Sequence, residues 1–255
     1  MTERLTVNWM FPDQLWLYGD RGNFMALRRL GALLGLDVAI NRVTDLTVAP
    51  ADLTIFSSGD LDVIGSLSAR RDELADFISR SPLSLVFGTT VALFGRTTKR
   101  IGHPDVNGLG LVPADSVERV LDHSGGQRPY GDDLWLELAE PAAGETRCAG
   151  VYIKPIKVRL DAGVKPFASV LYGLDNSGEL EAGGSDGAVL PDLVWTNLLG
   201  PALVRNPWLG LWLINRALGS AYEADERLRT AWELELAARD GFESFVTAKA
   251  KARGV

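Results

Sequence analysis

A single cysteine, Cys148, and two histidines, His103 and His123, are all the thiol and imidazole that a chain of 255 residues contains. One cysteine excludes an internal disulfide and any zinc site built on several thiolates, and such scarcity suits a reducing compartment. The histidines sit in polar stretches, GHPDVNGLG and DHSGGQRPYGDD, without a clustered carboxylate set, so no metal is expected. No apolar run approaches the ~20 residues that span a bilayer. The N-terminus MTERLTVNWMFPDQ lacks the basic start and apolar stretch of a signal segment. A cytoplasmic chain with no membrane partner is the expectation. Long basic runs are missing as well, and the net charge of -7 argues against a nucleic-acid surface and for a protein or small-molecule partner. The glycine-rich EAGGSDGA has neither the Lys-Ser/Thr ending nor the following helix of a phosphate loop, and no cofactor is expected.

What is present is enough apolar material, 46% of the chain, for one large core. RLTVNWMF (4–11) alternates as a strand and stops at Pro12-Asp13. FMALRRLGALLGL places Phe24, Leu27, Leu30 and Leu34 near one helical face with Arg28 and Arg29 opposite, and closes around Gly35. DVAINRV (37–43), ADLTIFSSGD (51–60) and LSLVFG (83–88) read as further strands, SARRDELADFISR (68–80) and TTVALFGR (89–96) as helices. Strands alternating with helices predict an α/β fold, a mostly parallel sheet covered on both faces. From 134 to 173 the pattern turns to hairpin-like strands, predicting an antiparallel extension that continues the sheet. LVWTNLLGPAL (193–203) then leads to a helix over 206–219, with Asn206 as cap and Pro207 in its first turn. A charged helical segment follows over 221–252. Neither repeat nor linker interrupts the chain, so one domain, 1–255, is expected.

In an open parallel sheet the functional crevice lies beyond the carboxyl ends of the strands. Four loops belong there: YGDRGN (18–23), SSGD (57–60), GTT (88–90) and LLGPAL (198–203). Together with VLYGLDNSG (170–178), the stretches LYGDRGN, VFGTTVALFG and WTNLLGPALVRNP resemble, in order and spacing, the class I glutamine amidotransferases, specifically the cobyric-acid-synthase-like group that includes GatD. The resemblance spans about residues 5–218. It implies a flavodoxin-like three-layer fold with a mixed sheet. It also implies a cysteine nucleophile on the turn after one strand and a histidine base in a later Thr-Tyr-Leu-His-Gly-Pro-like segment. On this chain those positions fall on Gly88 and Leu199. Glycine has no side chain to attack with and leucine takes no proton, so the implied mechanism lacks both of its groups.

Around these positions a residual pocket of Tyr18, Asp20, Ser58, Gly59, Thr89, Thr90, Tyr152, Lys154 and Lys157 is expected. Asp20 or Asn23 reads as the cap of the first helix, Thr89 or Thr90 as the cap of the helix after the turn. Ser58 and Gly59 stand where the family presents a backbone N–H to the substrate oxyanion. Tyr152 to Ile156 replace a Glu-Asn-His-Gly-Gly-like run of the relatives, predicting a bulkier wall and a crevice filled by apolar side chains. Cys148 reads as a small buried hydrophobe. The resemblance then implies a catalytically inactive subunit that supports a MurT-like, ATP-dependent Mur-ligase-type partner. Two alternatives stay open: an active amidotransferase using Thr89 or Thr90 with Lys154 or Lys157 as base, and a small-molecule sensor.

Overall fold

The computed structural model describes residues 3–120, 131–179 and 183–253; His123 lies outside them. The chain order is β1 (Arg4–Met10), α1 (Arg21–Leu34), β2 (Asp37–Val43), β3 (Leu53–Phe56), α2 (Leu61–Ser68), α3 (Arg71–Ser79), β4 (Ser84–Phe87) and α4 (Val91–Phe94). It continues with β5 (Thr97–Lys99), β6 (Val106–Asn107), β7 (Ala114–Glu118), β8 (Gly131–Ala142), β9 (Glu145–Ile153), β10 (Ile156–Leu160), β11 (Ala168–Tyr172), β12 (Ser185–Asp186), β13 (Ala188–Val189) and β14 (Leu193–Thr196). Four helices close it: α5 (Ala202–Arg205), α6 (Pro207–Leu218), α7 (Glu226–Ala231) and α8 (Glu233–Arg253).

The central sheet has the order β13-β14-β4-β3-β1-β2, parallel throughout except for the edge strand β13. It is therefore mixed, as expected. Because successive strand residues point to opposite faces, Ile55, Leu85, Phe87 and Val194 pack on one side with α1 and α6. Phe56, Val86 and Trp195 pack on the other with α2, α3 and α4. Both faces are covered, which is why these strands read as unbroken apolar runs.

The strands that follow do not lengthen this sheet. They form two four-stranded sheets of their own, β10-β7-β5-β6 and β12-β11-β8-β9. The first packs Val106, Ala114, Ile156 and Val158 onto the α4 side of the core. The second turns Leu134, Leu136, Cys148 and Val170 toward α6, and its outer face, with Trp135, Ala149 and Tyr172, is covered by Val246 and Phe242 of α8. Trp135 and Phe242 approach to 5.8 Å between ring centroids, within the range of favourable aromatic pairs.

Two local expectations change. The helix over 68–80 is α3 alone, and α2 precedes it, started by the Asp60 carboxylate accepting from the N–H groups of Asp62 and Val63. Asn206 does not cap α6 with its side chain. It reaches β9 instead, accepting from Ala149 N–H at 2.8 Å and donating to Ala149 O at 2.9 Å. Pro207 does open α6, and Gly219 closes it in the left-handed conformation. No helix among the described residues is long and apolar enough to cross a membrane.

Candidate functional site

At the end of β4 the chain turns through Gly88, whose φ of +54° is open to glycine and strained for other residues. The Trp195 indole N–H donates to Gly88 O at 3.1 Å and holds this turn against β14. A Cβ built on Gly88 would lie 2.6 Å from Leu199 Cδ2 and 2.8 Å from Ser58 Oγ. The structure thus brings together the two positions singled out in the sequence, 111 residues apart, with a leucine methyl where a side chain on the turn would go. Leu199 is 1% exposed. Its backbone N–H donates to Val151 O at 2.8 Å, a lone bridge that ties this loop to β9.

The small-residue loop after β3 closes the other side. Ser58 N–H donates to Asp20 Oδ2 at 3.1 Å, and Gly59 N–H donates to Thr90 Oγ1 at 3.2 Å. The same Thr90 hydroxyl donates to Ser57 O at 2.7 Å. Both N–H groups of this loop are therefore engaged internally. The expectation that a threonine caps the helix after the turn is corrected as well, since neither hydroxyl makes a cap bond to α4. Asp20 is likewise no side-chain cap for α1. Asn23 is not one either; it accepts from Leu203 N–H at 2.9 Å and so fastens α1 to α5. In each case a tertiary partner has displaced the local one.

Asp20 is fully buried. Desolvation pushes its carboxyl up to about 7, against the pull of the Ser58 N–H and the neighbouring Ser57 hydroxyl. Its Oδ1 has no hydrogen-bond partner of good geometry among the described residues. Tyr18, at φ +67° and partly exposed, sits on the rim. Its phenol is pushed up by burial and then by the charges of Asp20 and Asp60.

Tyr152 is buried in the same core cluster as Leu198 and Leu199, so this part of the wall is apolar, while Lys154 is a buried charged group within it. Lys154 is 1% exposed and its Nζ has no hydrogen-bond partner among the described residues. Burial pulls its ammonium down to about 8, opposed by Asp186 and Asp175. Asp186 is itself buried and accepts from Thr196 Oγ1 at 2.7 Å and Asn197 Nδ2 at 2.9 Å; burial raises its carboxyl. Asn176 joins the group by accepting from Asn197 Nδ2 at 3.0 Å. Lys154 was expected in the pocket, but its partners were not assigned from the sequence: Asn176 lies in the DNSG stretch, Asp186 in EAGGSDGA, and Thr196 and Asn197 in WTN. Lys157 is not part of the site. It lies on β10, half exposed, 3.4 Å from Glu179 over the open face of a separate sheet. Thr89 is buried in the turn. Cys148 is fully buried under the Trp208 indole N–H, and burial pushes its thiol up to about 12. Among the described residues no three His, Cys, Asp or Glu side chains cluster as a metal site.

No family model matches the chain. The architecture matches a crystal structure of a glutamine amidotransferase with a TM-score of 0.57 and 20% identity, covering 83% of this chain and 98% of that one. The fold is that of a glutamine amidotransferase. More particularly, the chain is similar to the GatD subunit of lipid II isoglutaminyl synthase (glutamine-hydrolyzing) from Streptococcus pneumoniae (strain ATCC BAA-255 / R6), 23% identical over 256 residues, 98% of this chain and 93% of the relative.

Proposed function

We propose that this protein is a catalytically inactive GatD-like subunit that binds and supports an ATP-dependent, amide-forming synthetase of the MurT-like Mur-ligase type, in a cytoplasmic heterodimer. One observation carries the inactive part of this reading: the turn keeps its left-handed backbone at Gly88, while the Leu199 side chain occupies the space a nucleophile would need. Hydrolysis of a carboxamide by this class of site requires a thiolate to attack the carbonyl carbon, a base to take and return a proton, and free donors for the developing oxyanion. Here the attacking group and the base are absent, and the loop N–H groups at Ser58 and Gly59 already have acceptors. Thr90 offers no substitute nucleophile, because its hydroxyl is held between Ser57 O and Gly59 N–H. The partner assignment rests on the similarity to a synthase subunit along nearly the whole chain. The synthetase would draw on free ammonia or another amine.

The test is a glutaminase assay on the purified chain, alone and coexpressed with a Mur-type ligase, together with size-exclusion chromatography and light scattering on the pair. A stable heterodimer that releases no glutamate is expected. Glutamate release that Thr89→Ala abolishes would overturn the inactive reading, and a strictly monomeric chain would overturn the subunit reading.

A further inference from the structure

Helix α1 buries Phe24, Leu27 and Leu30 and turns Arg21, Met25, Arg28 and Arg29 outward, a spacing of i, i+4, i+7 and i+8 that lines one face of a helix. Met25 is 64% exposed, and Val204 on the adjoining α5 is 40% exposed. The two helices are closely apposed: a Cβ on Gly22 would lie 2.6 Å from Pro201 Cβ and 3.4 Å from Val204 Cγ2. Between Met25 and Val204 opens a cleft of about 280 Å³ floored by Leu30, Leu33, Leu203 and Trp232. A void of about 150 Å³ already takes a benzene-sized group, so this one has room for a large aromatic or two aliphatic side chains.

The lining of the cleft holds one charge of each sign. Its own carboxylate, Glu235, is matched by Arg29 at 3.6 Å. Arg21, Arg28 and Arg205 are exposed and form no ion pair among the described residues. On a chain of net charge -7, an apolar cleft whose neighbouring helix turns carry unpaired arginines, Arg21 and Arg28 a turn to either side of Met25 and Arg205 beside Val204, is complementary to an apolar anchor flanked by acidic residues. We propose that this face docks such a segment of the ligase-type partner, a Leu-, Phe- or Trp-bearing stretch with neighbouring Asp or Glu. The inference rests on the subunit role proposed above and adds the place and chemistry of the contact. A concave site suits an inserted side chain, whereas a bilayer surface is met by a protruding apolar face.

The experiment measures the affinity between the purified chain and its coexpressed Mur-type ligase, by calorimetry at two salt concentrations. Met25→Glu and Val204→Glu are expected to weaken the complex on the order of 100-fold, the size of a central hot spot, with unchanged melting temperatures because both side chains are exposed. Arg28→Glu should weaken it about 10-fold and flatten the salt dependence, while Arg28→Lys restores both. A wild-type complex whose affinity neither Met25→Glu nor Val204→Glu alters refutes this docking face and leaves the subunit role standing. No complex with the wild-type chain refutes both. Two controls also decide against the ligase as occupant: a dimer of the chain alone that Met25→Glu dissolves, or sedimentation with phosphatidylglycerol vesicles that Arg28→Glu abolishes.

Discussion

Replacing Asp20 by asparagine should make the protein more stable at pH 8 and leave it nearly unchanged at pH 4. The carboxyl is fully buried, and burial raises it from an ordinary value of 3.8 to about 7. In the unfolded chain it loses its proton near 3.8, and in the folded chain near 7. Below the first value the group is neutral in both states and carries no penalty. Between the two, unfolding releases a proton, so stability falls as pH rises. Above the second the full penalty stands: about three pH units at 1.36 kcal/mol each, or about 4 kcal/mol as an upper bound. Asparagine keeps an oxygen for the Ser58 N–H and carries no charge, so its stability curve should lack this slope. With melting temperatures of a chain this size moving about 2–4 °C per kcal/mol, a gain of roughly 5–10 °C at pH 8 is expected once relaxation is allowed for. Thermal melts of both proteins across pH 4 to 8, read by circular dichroism, decide it. Equal destabilisation at every pH would show that the carboxylate is compensated in the folded state and that the reasoning is wrong.

Gly88→Cys should destabilise the fold by about 2–4 kcal/mol, from left-handed backbone strain and overpacking against Leu199; denaturant melts check this, and Leu199→Ala in the same chain should recover part of the loss. The cysteine so introduced is expected to release no glutamate. Asn206→Ala should cost about 2–4 kcal/mol, because it strands the Ala149 N–H and C=O groups that the amide now satisfies. Cys148 should resist a thiol reagent such as dithionitrobenzoate in the native protein and react on unfolding, since its sulfur is buried and its thiolate disfavoured; fast native labelling would contradict that placement.

The parts of the fold that showed in the sequence are those whose burial is simple. β1 alternates apolar and polar residues, β4 and β14 are short, mostly apolar buried runs, and α1 and α6 carry a clear helical stripe, so each declares itself locally. Gly88 and Leu199 were singled out by family resemblance, and the fold places them side by side. Strands as short as β6, β12 and β13, two residues each, hold no period to read, and so the gathering of the later strands into separate sheets was not visible. Caps failed for a different reason. Asp20, Asn23, Thr90 and Asn206 have the side chains of helix caps, but each finds a partner far along the chain, and tertiary bonds of that kind leave no local trace. The Lys154–Asp186 group was hidden for the same reason: only the fold brings its charges near one another.

Active sites are places where proteins forgo stability to keep reactive groups exposed and polar. Leu199 makes no such exchange. Its 1% exposure makes it a core residue, and burying a leucine side chain contributes about 2 kcal/mol. Leu198 and Leu199 are thus governed by volume and shape, while Thr90 beside them is held by its bonds to Ser57 O and Gly59 N–H. A saturation screen should tolerate isosteric apolar replacements at the two leucines and reject bulky or charged ones, and should reject apolar replacements at Thr90, a profile set by folding.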